Sequence, residues 1–273
     1  FRLMRKIQRF TLDELKILAE NGQKDLQYAV GYYYENGINT EVDFKQAAEW
    51  YEKAASKNHV EALMHLGMFY AQGKGVEKNG KKALEYIQKA AKTGDKNAQY
   101  NLARCYEEGI GTVVDYSRAF DWYKKAAEQN DYRAMCCMGS YFLMGQAVPC
   151  MPERAFQLFE KAANANIPAA QYNLSILYRY GEGVEKDIDL ADTWRMKAAQ
   201  NGFKLAIEEI HKEVGIDTGR EGKADGALLP RRYTGSGDSR HDSRPSFRTR
   251  ETESRGKARE ALCSYRGADR GSE

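Results

Sequence analysis

From Ala98 to Asn130 the chain reads AQYNLARCYEEGIGTVVDYSRAFDWYKKAAEQN, and this stretch decides the fold. It holds two helical patterns around a turn. Ala98, Leu102, Cys105 and Tyr106 fall at i, i+4, i+7 and i+8, one apolar face of a helix ending near Glu108. Gly109 follows it, the residue that a chain leaving a helix in the left-handed conformation prefers. The second pattern runs from about Ser117 to Gln129. There Ala119, Trp122, Tyr123, Ala126 and Ala127 make one face, with Asp115 placed to cap the start.

Displaced by 36 residues, the sequence matches itself without a gap. Ala54-Ala55, Ala90-Ala91, Ala126-Ala127, Ala162-Ala163 and Ala198-Ala199 form one column. Ala47, Ala83, Ala119, Ala155 and Ala191 form another, and Gly37, Gly73, Gly109, Gly145 and Gly181 a third. Tyr34, Tyr70, Tyr106, Phe142 and Tyr178 form a fourth. A period of this length is the mark of a solenoid, in which each unit is a hairpin that buries its apolar face only against the next. The expected fold class is all-α: an α/α superhelix of helix-turn-helix repeats.

The alanine columns predict close approach between helices, with Trp50, Trp122 and Trp194 filling the space beside them. The stop column Gly22, Asn58, Gly94, Asn130, Asn166 and Gly202 holds only residues that tolerate a left-handed C-cap. Lys53, Lys89, Lys125, Lys161 and Lys197 close each second helix, where a cation complements the helix dipole.

The expected domains are an N-terminal capping helix in residues 1–24, five repeats in 25–204, a C-terminal capping helix in 205–214 and a tail in 215–273. In the last helix Glu208, Glu209, His211 and Lys212 suit a face open to water. The tail is rich in Gly, Ser, Arg and Asp, a composition that points to disorder. Its Arg231, Arg232, Arg240, Arg244, Arg248 and Arg250 could meet RNA, but interspersed acids favour a solvated tail.

The unit A-x-Y-N-L-x-x-x-Y-x-x-G-x-G, a link, then A-x-x-W-Y-x-K-A-A-x-x-G/N, resembles the Sel-one-like repeat family, a relative of the tetratricopeptide repeats. It stands here as Ala98 to Leu102, Tyr106, Gly109, Gly111, Ala119, Trp122 to Ala127 and Asn130. The 36-residue period, against about 34 for a tetratricopeptide unit, separates the two. Repeats one and four carry Asn39 and Ala147 at the second loop glycine, and repeat four adds Pro149 and Pro152, so a different loop geometry is expected in them. Pro152 is tolerable just inside a helix start. The resemblance implies a non-catalytic adaptor. Relatives serve in endoplasmic-reticulum-associated degradation, mitochondrial stress relay, fungal cell-wall regulation and bacterial host interaction. It supplies no catalytic residue and no partner.

Composition excludes other classes. Lys plus Arg number 42 against 39 Asp plus Glu, and residues 1–214 carry equal numbers of each sign. A neutral body has no field to draw nucleic acid or an anionic membrane. No apolar run reaches the length of a membrane span. Five cysteines, Cys105, Cys136, Cys137, Cys150 and Cys263, follow no ligand or exchange spacing and read as reduced thiols of a cytoplasmic protein. The chain opens at Phe1 and leaves a targeting segment before it open.

The window Gly75 to Lys81 has the shape of a phosphate loop. It lacks the following Ser or Thr, since Lys82 stands there, and follows a helix instead of a strand. His59 and His65 are too few for a metal site, and His65 is expected on a helix surface. Cofactors expected: none. Catalytic or metal-ligating residues expected: none. A hydrolase on this repeat would need an off-consensus nucleophile and base, and the sequence offers neither.

The expected function is a protein-binding scaffold, or a regulatory module of a larger complex, binding a protein or peptide on the concave face. By analogy with tetratricopeptide repeats, the concave columns are those of Tyr100, Asn101, Arg104 and Glu108. The candidate site residues are Tyr28, Tyr32, Met64, Met68, Tyr100, Arg104, Glu108 and Tyr172. Tyr, Met and Arg suit interfaces. The first two columns, rich in Tyr and Asn, equally fit a role in bracing the fold, so Tyr32, Met68 and Arg104 carry the groove.

Overall fold

In the computed structural model, residues 10–215 are described. Among them there are twelve α-helices and no strand. They fall into two compact units, one up to Met151 and one from Pro152. The expected tail and residues 1–9 of the expected N-terminal cap lie outside the described residues.

The first unit holds α1 (Leu12–Glu20), α2 (Lys24–Asn36), α3 (Phe44–Ala55), α4 (Val60–Gln72), α5 (Gly80–Lys92), α6 (Lys96–Glu108), α7 (Tyr116–Glu128) and α8 (Tyr132–Met144). The second holds α9 (Pro152–Asn164), α10 (Pro168–Tyr180), α11 (Ile188–Gln200) and α12 (Lys204–Val214). First and second helices of one hairpin share the larger interface, and a second helix packs more lightly on the next first helix.

Helix ends follow local chemistry. Asp43, Asn79, Asp115 and Asp187 cap second helices by accepting backbone N–H groups. Thr11 and Glu14 form a reciprocal capping box at α1. The first helices α2, α4, α6, α8 and α10 all end at a glycine in the left-handed conformation. Asn58, Asn130 and Asn166 take positive φ beyond second helices, as the stop column requires.

The alanine seam is buried: Ala54, Ala90, Ala126, Ala162 and Ala198 are fully inaccessible, as are Ala47, Ala83, Ala119, Ala155 and Ala191. The filling residue is not the tryptophan. Trp122 and Trp194 are only half-buried, and the next position carries the buried bulk: Tyr51, Ile87, Tyr123 and Phe159. The tryptophans lie on the rim instead, where Lys53, Lys125 and Lys197 cover Trp50, Trp122 and Trp194 at 3.7, 3.9 and 4.0 Å from ring centroids. Room for the buried column comes from small residues on the facing first helix. A Cβ on Gly31 would lie 2.6 Å from the Tyr51 ring, and one on Gly67 2.5 Å from the Ile87 side chain.

The expectation of a different loop in repeats one and four is corrected. Asn39 and Ala147 adopt φ of 57° and 61°, beside 65°, 71° and 69° for Gly75, Gly111 and Gly183. In all five loops the backbone N–H preceding the second helix returns to a carbonyl near the end of the first, as Asp115 does to Tyr106 at 2.8 Å and Met151 to Phe142 at 2.8 Å. These ties hold the loop whatever the side chain. What the glycine provides is a second thing, room for the preceding repeat. A Cβ on Gly111 would sit 2.0 Å from the Gly80 carbonyl oxygen, and one on Gly75 2.1 Å from that of Phe44.

Candidate functional site

The first two candidate columns tie one repeat to the next. The Tyr28 hydroxyl lies 3.4 Å from His65 Nε2, Asn101 Nδ2 donates to Met64 Sδ at 3.9 Å, and the Tyr172 hydroxyl donates to Glu209 at 2.6 Å. Each pair joins one position of a first helix to the position beside it one repeat on. Tyr28 is stacked on His59 at 4.6 Å and on Tyr51 at 5.5 Å. Tyr100 and Tyr172 are buried, the first beneath the Arg133 guanidinium at 4.5 Å, the second against Phe203 at 4.9 Å. Burial pushes the Tyr172 hydroxyl well above its usual range, and the carboxylate of Glu209 pushes it further. Of the candidate residues, then, Tyr28, Met64, Tyr100 and Tyr172 occupy bracing positions.

The third and fourth columns differ. Tyr32 is half-buried, with its ring 6.3 Å from that of Tyr28. Met68 is 39% exposed on α4. Arg104 on α6 is half-buried and donates through Nε and Nη2 to Glu108 Oε1 at 3.2 and 2.9 Å. Burial works against the Arg104 charge, but Glu108 outweighs it and the guanidinium pKa rises. Asn36 and Gln72 of the fourth column are exposed. Tyr32, Met68, Arg104 and Glu108 all belong to the first unit, whereas Tyr172 belongs to the second.

A polar cluster that the sequence reading missed lies next to these columns. Glu35 accepts from the Tyr51 hydroxyl at 2.5 Å and faces His65 Nδ1 at 2.9 Å. His65 therefore is not a surface residue. Its side chain is 26% exposed and sits between the first two hairpins. Burial would raise the Glu35 carboxyl, but His65 and Tyr51 hold it below the usual range. His59 caps α4 by accepting the Ala62 N–H on Nδ1, and burial depresses its pKa against the pull of Glu61 and Asp25. The Tyr123 hydroxyl repeats the motif in α6–α7 by donating to Glu107 at 2.7 Å. The signal was available: Glu35 and Glu107 precede Tyr51 and Tyr123 by 16 residues, while the same columns in repeat two hold Ala71 and Ile87.

The family model for the Sel1 repeat matches residues 25–59, 60–95, 96–131, 133–167 and 168–203. The chain belongs to the Sel1 repeat family. A Sel1 repeat protein from Oxalobacter formigenes has a similar structure, with a TM-score of 0.67 and 31% identity over 73% of this chain and 82% of that one. A protective antigen of uropathogenic Escherichia coli with an SLR fold is similar at a TM-score of 0.61 and 26% identity over 78% of this chain. The match covers 54% of that antigen, so this chain spans about half its length. Among curated proteins nothing matches.

The Sel1 repeat commonly mediates protein–protein interaction and generally serves as a non-catalytic scaffold. None of the four described cysteines forms a disulfide. Among the described residues no helix is long and apolar enough to cross a membrane, and no group of three potential metal ligands comes together.

Proposed function

We propose that this Sel1 repeat chain is a non-catalytic scaffold that binds a protein or peptide along the first helices of its N-terminal unit, on the face of Tyr32, Met68, Arg104 and Glu108. The observation that carries the reading is the division of labour among the columns. Tyr28, Met64, Tyr100 and Tyr172 are engaged in joining repeats, whereas Met68 keeps 39% of its surface open. An open thioether beside an aromatic ring and a guanidinium with fixed orientation suits an adaptable interface with a polar edge. Glu108 holds Arg104 in place, which reduces the entropy lost on docking. An extended or helical segment with an apolar anchor and an acidic neighbour fits this face.

A reducing, cytoplasmic setting is part of the proposal. Burial, with Glu108 nearby, pushes the Cys105 thiol up to about 12, out of the range of thiol exchange.

The test is the pair Tyr32→Ala with Arg104→Glu in the full chain. Proteins captured by the wild type should be lost from the double variant, with helical signal and melting temperature held. Capture that survives this change but disappears on replacing Lys89 and Lys125 on the second helices would put the docking face there.

A further inference from the structure

The last described helix is a first helix without a second. In α2, α4, α6 and α10 the apolar face is covered mainly by the second helix of the same hairpin. Helix α12 continues their columns: Ile210 follows Val30, Leu66, Leu102 and Leu174, and Val214 follows Tyr34, Tyr70, Tyr106 and Tyr178. The other members of the Ile210 column are at most 1% exposed, yet Ala206 alone is buried in α12, Ile207 and Ile210 are half-exposed and Val214 is 54% exposed. One side of α12 is anchored, through Glu213 to Arg195 at 2.5 and 2.8 Å and through Glu209 to Tyr172. A helix meant to end the array at water would not carry the apolar column onward.

We propose that residues 257–266 of this same chain cover the open face of α12 as its missing second helix. The chain runs 58 residues beyond Gly215, far more than a hairpin connection needs. Within them, Lys257 to Arg266 (KAREALCSYR) is free of Gly and Pro, and Ala258, Ala261, Leu262 and Tyr265 fall at i, i+3, i+4 and i+7. That is the spacing of Ala119, Trp122, Tyr123 and Ala126. Size also complements. His211 stands where other first helices have Gly31, Gly67 or Ala103, so a second helix facing it needs small residues, which Ala258 and Ala261 are. Charge complements as well: Arg255, Lys257, Arg259 and Arg266 meet a helix bearing Glu208, Glu209 and Glu213. The other apolar stretch, Ala227-Leu228-Leu229, is interrupted by Gly226 and Pro230.

Amide hydrogen exchange of the full chain tests this. In Leu262→Asp the amides of residues 207–214 should exchange at least tenfold faster than in the wild type, at low and high protein concentration alike. Leu228→Asp should leave them unchanged. Equal exchange in wild type and Leu262→Asp overturns the proposal, and so does an equal effect of Leu228→Asp. Protection that appears only as concentration rises, with a dimer on a sizing column, assigns the face to a second copy and overturns it too.

Discussion

Glu35 and Tyr51 show how one pair of positions sets the polarity of a hairpin interior. Tyr51 is fully buried, so its hydroxyl needs a partner, and Glu35 supplies it at 2.5 Å. Replacing Glu35 by Ala strands that hydroxyl and should cost about 1–3 kcal/mol. Adding Tyr51→Phe recreates the apolar arrangement of Ala71 and Ile87 and should recover a good part of the loss. A double-mutant cycle by urea unfolding reads this directly, and additive losses would show that the two side chains do not depend on each other. Acid acts on the same joint. The carboxyl of Glu35 titrates lower folded than unfolded, so its contribution is present above the unfolded value of roughly 4.3 and is lost as pH falls through the folded one. His59 is depressed by burial, so folding favours its neutral form, and that contribution fades as pH falls below roughly 6.5. Melting temperature should therefore drop in two stages on acidification. His59→Asn, which keeps a cap, should remove the upper stage, and Glu35→Gln the lower. A wild-type profile that is flat from pH 7 to 5 would contradict the first stage.

At the scale of the element, the loop between helices has two requirements that one glycine meets together in three repeats. The backbone needs positive φ, and the preceding repeat needs space. Gly111→Ala violates both, with φ of 71° and a Cβ 2.0 Å from the Gly80 carbonyl oxygen. Gly94→Ala violates only the first, since nothing lies within 4 Å of its Cβ. The first should destabilise by several kcal/mol and the second by roughly 1–2, the cost of the left-handed conformation for a residue with a Cβ. Ala147→Gly should stabilise by up to about 1 kcal/mol, because Ala147 already bears that cost at φ 61°. Equal losses for the two glycine variants, measured by urea unfolding, would show that the close approach to Gly80 carries no weight. The loops also show what the sequence could reveal. The hairpins, their caps and the alanine seam were legible because periodicity and cap chemistry are local. The loops of repeats one and four were misjudged because the backbone tie, as from Met151 to Phe142, involves no side chain. Tryptophan was taken for the filler because size alone does not say which of two adjacent large residues points inward. Gly31 and Gly67 settle that, through contacts with a helix far along the chain. At the candidate site, the third column stood apart in the sequence by its variety, whereas His65 looked like a surface residue because its partner Glu35 lies one repeat earlier.

For the molecule as a whole, charge distinguishes the modes of binding open to it. Residues 1–214 carry equal numbers of basic and acidic side chains, and the excess of +3 lies beyond them. A partner held on Tyr32 and Met68 is held by apolar area, with one guanidinium already paired to Glu108 at 2.9 Å. Such a contact releases few counterions. Its affinity should change by less than about tenfold between 50 and 200 mM salt, whereas six to ten phosphate contacts would lose roughly a thousandfold or more over that range. The arginine-bearing segment beyond Gly215 offers the contrasting case, since Arg231, Arg232, Arg240, Arg244, Arg248 and Arg250 could neutralise phosphates. Titration of a captured partner at several salt concentrations, with the wild type and with Met68→Ala, separates the two. Weak salt dependence together with a loss of affinity in Met68→Ala places the contact on the first helices. A steep salt slope that Met68→Ala leaves untouched would show binding through the arginines instead, and the scaffold reading of the N-terminal unit would fall.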